Sequence, residues 1–435
     1  MVIVAFILLV IILILGVPVP LAFLASSLFI VVTCSYSADF LLPYGYSKLS
    51  TVVLLAIPLF ILAGSLMEKG KIGGQLVGLV ETLVGHIRGG LGSVAVISCA
   101  VFGALTGSSM ATLSCIGGIM FPQLNKNGYP TGHTAALLAN AAVLGILIPP
   151  SSLMILYAWA AGQSVLACFL STVIPGLILT TLFAILNLIM LRKCKTLVTE
   201  EPISLNMRTK MMASRTVKAA PALFMPFIVL GGIYMGIFTP TEAAAISVLY
   251  AVPIGFLVYK GLTLQTLKES LIESGTTTGV VMIMLYAVMI LSRLFIQEDL
   301  PGVILGYMQH VTDTKLGVLL MLNLFMIVIA MLMDDVSAVM LCTPILVPVA
   351  IKIGVDPIHF AAIMSVNLGM GNVTPPCAPL LFLSASLNGA SINDVIRPTF
   401  ILIIFGWIPV LAITILFPEV ALWVPKTFLG YVPMF

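Results

Sequence analysis

Apolar runs long enough to cross a bilayer recur from one end of this chain to the other. A helix needs about 20 mostly apolar residues to span the hydrocarbon core. The stretches 2–16, 19–34, 52–67, 134–160, 165–191, 220–237, 242–259, 278–294, 359–386 and 398–417 reach or approach that length. Only 8% of the residues are charged, against about 25% in soluble chains. The pattern predicts an all-α polytopic membrane protein embedded in a lipid bilayer. A β-barrel would need short strands of alternating polarity, and no such alternation is present. The apolar N-terminus lacks a preceding basic region and a small-residue cleavage site, so it reads as the first membrane helix and not as a removable signal.

Two further apolar stretches, 93–122 and 316–348, differ from the spans. Their centres are small or polar: "GALTGSSMAT" in the first and "MLMDDVSAVM" in the second. Weaker amphipathic segments at 70–88 and 300–315 suit the membrane surface. The chain also repeats itself at an offset of 226. His133 falls on His359, Pro122 on Pro348 and Gly128 on Gly354. Gly145, Pro149 and Pro150 fall on Gly371, Pro375 and Pro376. With small gaps His86 matches His310, so all four histidines pair. The expected division is 1–218 for the first repeat and 219–435 for the second.

Topology decides whether the repeats are parallel or inverted. If 93–122 and 316–348 enter and leave on one side as re-entrant hairpins, each half has five crossings and the halves are inverted. Cytoplasmic loops carry the excess of Lys and Arg. The loop 192–218 holds seven of the nineteen basic residues, so it is placed inside. The hairpin arrangement then puts fourteen inside, among them Lys69, Lys71 and Arg88, and both termini face outward. A single crossing in place of the first hairpin would set those three against the basic loop.

"GILIPPSSL" at 145–153 and "GNVTPPCAP" at 371–379 place double prolines inside apolar runs. Proline removes an amide donor and breaks a helix. Unwound backbone at membrane depth is tolerated where protein or a water-filled cavity satisfies it. A single break would also suit a proline kink in a packed helix. Two breaks at matching positions, each beside a polar-centred hairpin, fit the plan of secondary transporters, in which half-helix ends face anionic cargo and unwound carbonyls hold Na⁺. In the hairpins, Ser108 and Ser109 align with Asp334 and Asp335. An intramembrane carboxylate costs about 2.5–3.5 kcal/mol on insertion scales, so it faces a site or cavity. These aspartates suit a helix cap at the tip, a site, or both.

His133 and His359 sit at helix starts beside turn signals, where a structural or interfacial role suits them better than proton carriage. The seven cysteines have no metal or redox spacing and read as small packing residues. No nucleophile–base set, phosphate loop or metal cluster is evident, so neither an enzyme nor direct ATP coupling within this chain is expected. A net charge of +3 gives no reason to expect nucleic acid.

At "GSSMATLSCIGGIMFPQL", "NAAVLGILIPPSSLMILYAWAAG", "GIFTPTEAAAISVLYA" and the long run from "MLMDDVSAVM" through "GMGNVTPP", the chain resembles the large membrane (M) subunit of tripartite ATP-independent periplasmic (TRAP) transporters. The resemblance covers essentially the whole chain. It implies an elevator-type, ion-transporter-superfamily-like fold and Na⁺-coupled import of an organic acid such as a C4-dicarboxylate or sialic acid. It also implies the bacterial inner membrane with both termini periplasmic, and no organic cofactor. The implied partners are a separate small four-helix membrane subunit (Q type) and a periplasmic substrate-binding protein (P type). Carried over by position, a first Na⁺ site uses Ser108, Ser109, Gly145, Ile148 and Pro150. A second uses Asp334, Asp335, Gly371, Thr374 and Pro376, with backbone carbonyls as the main ligands of both. Substrate is expected near Thr106, Gly107 and Asn372. Asn372 and Cys377 depart from the family's apolar text around the second break. Two alternatives stay open: a free-standing ion-coupled carrier of organic anions without a binding protein, and a non-transporting membrane subunit.

Overall fold

The computed structural model describes residues 1–85, 87–194, 196–197 and 205–435. His86 and Lys195 of the basic loop lie outside the described residues. The described chain is helical, with no strand among the described residues. It opens with α1 (Val2–Ile14), α2 (Val19–Thr33), α3 (Leu41–Leu49), α4 (Ala56–Lys69) and α5 (Ile72–Val84). The first helical hairpin is α6 (Gly90–Thr106) and α7 (Ser109–Lys126). A broken helix follows as α8 (Thr131–Ala142), α9 (Leu144–Leu147) and α10 (Ser152–Ala161), and α11 (Val165–Ser171) and α12 (Val173–Leu191) close the first half.

The second half runs through α13 (Leu205–Tyr234), α14 (Pro240–Pro253), α15 (Leu264–Gln297) and α16 (Leu300–Val311) to a hairpin of α17 (Lys315–Leu332) and α18 (Asp335–Lys352). Its broken helix is α19 (Pro357–Gly371) and α20 (Pro379–Asn388), followed by α21 (Ile392–Leu402), α22 (Ile408–Leu416) and α23 (Glu419–Leu429). Among the described residues, eight helices are long and apolar enough to cross a membrane, or nine if the pair bent by 46° at the first double proline counts as one broken span.

Helix starts follow from local chemistry. Thr239 and Glu242 form a reciprocal capping box at α14, which satisfies two amides that the first turn leaves orphaned. Asp356 accepts from the amides of Ile358 (2.8 Å) and His359 (3.2 Å) to start α19. Two sequence expectations shift. Helix α15 begins at Leu264, well before the apolar run at 278, because Thr263 caps it and the polar segment between stays helical against the bundle; its 34 residues measure ~51 Å at 1.5 Å per residue. Helix α1 has only 13 residues, ~20 Å and short of the ~30 Å hydrocarbon core, because the chain turns at Gly16, which adopts φ +81°.

The offset of 226 survives folding. Helices α7 and α18 are that far apart at both ends, and so are the starts of α8 and α19. Packing exchanges the halves: α10 lies on α18 while α20 lies on α7, and α8 lies on α21 while α19 lies on α11. Swapped pairings of this kind describe a pseudo-two-fold relation between the repeats. Buried polar links reinforce it. His133 Nε2 shares a hydrogen bond with Asn187 Oδ1 on α12 (3.1 Å), and His359 Nε2 with the Thr414 carbonyl on α22 (2.7 Å). Both histidines therefore anchor a broken helix to its neighbour, as a structural role requires.

Candidate functional site

The first hairpin reverses over two residues. Gly107 takes φ +61°, a left-handed turn that favours glycine, and extended Ser108 starts α7 by accepting from the Ala111 amide (3.4 Å). The Ser108 carbonyl accepts from the Thr112 hydroxyl (2.7 Å). The second hairpin reverses through Met333 and Asp334. Asp334 Oδ2 accepts from the amides of Val336 (3.2 Å) and Ser337 (3.4 Å), and its other oxygen accepts from the Ser337 hydroxyl. Ser108 and Asp334, aligned by the repeat, are thus both N-caps.

The tips meet. The Ser109 hydroxyl donates to Asp335 Oδ2 at 2.9 Å. Ser109 and Asp335 are equivalent residues of the two repeats, and a residue that touches its own image lies on the pseudo-two-fold axis. Asp335 Oδ1 is shielded and has no hydrogen-bond partner among the described residues.

The first break packs directly against the first tip. Residues 148–151 are non-helical. A Cβ at Gly145 would lie 2.7 Å from both the Ser108 carbonyl oxygen and Thr112 Oγ1, so only glycine admits that approach. A Cβ at Gly107 would lie 2.7 Å from the Pro150 carbonyl oxygen. Ser152 Oγ donates to the Gly107 carbonyl (3.0 Å). Four of the sequence candidates, Gly107, Ser108, Gly145 and Pro150, are therefore brought together. Ile148 lies in the same unwound segment and packs near Gly176.

The second break, 372–378, is longer. Thr374 Oγ1 donates to the Met370 carbonyl (2.7 Å), and Gly371 abuts Ala330 on α17. Asn372 is 2% exposed and its Oδ1 has no partner among the described residues. Pro376 is exposed. Asp335 contacts the opposite tip and Asp334 caps its own helix; no hydrogen bond joins either to this break among the described residues.

Both tips line one cavity of about 780 Å³. Of the sequence candidates, Thr106, Ser108, Ser109, Asp334 and Asp335 face it, while Gly107, Gly145, Ile148, Pro150, Gly371, Asn372, Thr374 and Pro376 do not. The opposite wall consists of α4 and α15, including Ser65, Glu68, Glu273 and Ser274. Glu273 holds Lys69 (2.9 Å) and accepts from Ser65 (3.4 Å). Sequence reasoning missed this wall. The signal was "ESGTT" at 273–277, a polar run immediately before the span that begins at 278.

Comparison with known proteins gives a consistent result. The family described as "Tripartite ATP-independent periplasmic transporter, DctM component" matches residues 6–420. The C4-dicarboxylate TRAP transporter large permease protein of Pseudomonas aeruginosa is 36% identical over 344 residues, 79% of each chain. The sialic acid TRAP transporter large permease protein of Vibrio cholerae is 32% identical over 418 residues, 96% of each chain. Among solved structures, the Alcanivorax borkumensis YdaH transporter superposes with a TM-score of 0.62 at 13% identity, covering 88% of this chain and 89% of that one. It shares the fold.

Proposed function

The chain belongs to the DctM-component family of tripartite ATP-independent periplasmic transporters, and from that premise we propose that it is the translocation subunit of a Na⁺-coupled importer of an organic acid. The observation that carries the reading is the meeting of both hairpin tips, at Ser109 and Asp335, over one cavity. A scaffold protein has no use for two image-related tips joined across a void.

Neutral oxygens gather at the first break: the Ser108 carbonyl, which accepts from the Thr112 hydroxyl, packs on Gly145, and the Pro150 carbonyl packs on Gly107. Neutral oxygens of this kind suit a hard monovalent cation. Ser108, Ser109, Gly145, Ile148 and Pro150 form the proposed first site. Asp334, Asp335, Gly371, Thr374 and Pro376 form the second, where the unpartnered Asp335 Oδ1 and Asn372 Oδ1 are acceptors in want of a partner. Bound Na⁺ would neutralise the carboxylate side of the cavity and so couple ion and cargo binding. Cargo would sit between the tips, beside Thr106, with Gly107 and Asn372 behind it.

In this reading the hairpins and broken helices move as one body past α4 and α15, in an elevator-type cycle. The halves are inverted repeats divided at 218/219, and both termini face the periplasm from the bacterial inner membrane. A small membrane subunit and a periplasmic binding protein complete the system. The names of the relatives support organic acids as cargo.

Uptake into proteoliposomes with the small subunit tests the proposal. The expected result is transport that needs both an inward Na⁺ gradient and the binding protein. Robust uptake without the binding protein would favour a free-standing carrier, and no uptake under any gradient would overturn the reading.

A further inference from the structure

A second cluster of charge lies away from the cavity, where α3 packs on α15. A Cβ at Gly45 would lie 2.7 Å from the Tyr286 ring, so glycine lets α3 seat closely there. The Tyr286 hydroxyl donates to the Leu42 carbonyl (3.3 Å). Two turns on from Tyr286 along the same face of α15, Arg293 reaches the Tyr44 ring of α3. Its guanidinium carbon is 5.6 Å from the ring centroid. Lys48, one turn after Tyr44, holds its ammonium 5.6 Å from the same centroid. One half-buried ring thus carries two exposed cations.

Among the described residues, neither Lys48 nor Arg293 forms an ion pair. The acidic residues nearest in sequence are engaged elsewhere. Asp39 accepts from the Ser37 hydroxyl (2.8 Å), Glu298 from the Tyr36 hydroxyl, and Asp299 caps α16 through the Gly302 amide (3.2 Å). A ring face attracts a cation without neutralising it, and two like charges at one ring repel. Arg293 lies four residues before the end of α15, a helix able to span the membrane. Cations and aromatic rings at such an end sit at headgroup level. The surround is apolar, with Leu42 and Tyr46 of α3 and Ile296 of α15 all exposed.

We propose that Tyr44, Lys48 and Arg293 form a binding site for the phosphodiester headgroup of an anionic phospholipid of the phosphatidylglycerol type. The phosphate oxygens accept from the Arg293 guanidinium and the Lys48 ammonium, and the acyl chains run along the exposed apolar side chains of the two helices. A zwitterionic headgroup adds a cation of its own and leaves the charge of the pair uncompensated. An acidic face on a soluble partner would meet the same charge but gain nothing from the apolar surround, which favours lipid. The inference is independent of the transport reading, since none of the three residues lines the cavity.

Native mass spectrometry of the full chain with its small subunit tests the site. The complex is titrated with phosphatidylglycerol, or with phosphatidylcholine of the same acyl chains, and the affinity for the first bound lipid is read. Phosphatidylglycerol should bind about fivefold or more tighter than phosphatidylcholine. Lys48→Gln and Arg293→Gln should each weaken phosphatidylglycerol about fivefold, the effect of one basic residue at a headgroup, and leave phosphatidylcholine within about twofold. Arg293→Lys, which keeps the charge, should retain most of the affinity. Lys426→Gln removes a cation already paired with Glu419 and should change neither lipid. Phosphatidylglycerol affinity that survives the double variant Lys48→Gln/Arg293→Gln would overturn the proposal, and so would a loss just as large in Lys426→Gln. Displacement of the lipid by millimolar inorganic phosphate would also overturn it, by making a free anion sufficient. If the double variant keeps its lipid affinity and loses uptake driven by the binding protein, the pair belongs to a protein interface and the proposal fails.

Discussion

The two repeats carry the same parts with opposite polarity and opposite exposure. The first tip is serine, stitched to its own break through Gly107, Gly145 and Ser152. The second tip is aspartate, linked to the other repeat and not to its own break. The first break spans four residues, 148–151, three of them buried; the second spans seven, 372–378, and exposes Pro376 and Cys377. One half is thus closed around its break and the other is loosened. Pseudo-symmetric halves held in different arrangements are what a two-state carrier requires, because exchanging the arrangements exchanges the accessible side.

The largest test of that asymmetry is charge. Asp335→Ala should lower Na⁺-dependent uptake by about tenfold or more, since a charge-assisted hydrogen bond is worth about 1.5–3 kcal/mol. Expression should be unchanged, and normal Na⁺ dependence in this variant would remove Asp335 from the site. Ser109→Ala should cost less, because it leaves the carboxylate in place.

Next comes exposure. Ser151 and Cys377 are equivalent positions, the first fully buried and the second exposed. With the other cysteines replaced, Cys377 should react with a maleimide about tenfold or more faster than Ser151→Cys, since access governs thiol reactivity. Equal rates would mean that the halves are not held differently.

The smallest effect belongs to the histidines. His133→Ala and His359→Ala should each lower stability by about 1–3 kcal/mol through the buried partner left behind, read as a shift in thermal unfolding. Their Na⁺ dependence of uptake should match that of the parent. A changed Na⁺ requirement in either would give that histidine a part in coupling.

How much of this was legible in the sequence varies with the kind of interaction. Ser108 and Asp334 were readable as tip residues because capping is local chemistry, and the breaks because proline acts on its own backbone. The repeat was readable from spacing alone. The contact between Ser109 and Asp335 was not, since an offset reports equivalence and not proximity. The α4–α15 wall was hidden for a different reason. Hydropathy ends a span where polar residues begin, but Glu273, Ser274 and their neighbours stay helical because the bundle and the cavity accommodate them. The first span was legible: α1 ends within two residues of the expected 2–16, where Gly16 turns the chain.

The most direct measurement is a double-mutant cycle on uptake. Uptake kcat/KM is determined for the parent, Ser109→Ala, Asp335→Ala and the double variant, at fixed Na⁺. If the halves act through the contact at the pseudo-two-fold axis, the double variant will be little worse than Asp335→Ala alone, with a coupling of about 1–2 kcal/mol. Losses that simply add would show that the two tips work independently, and would contradict the account.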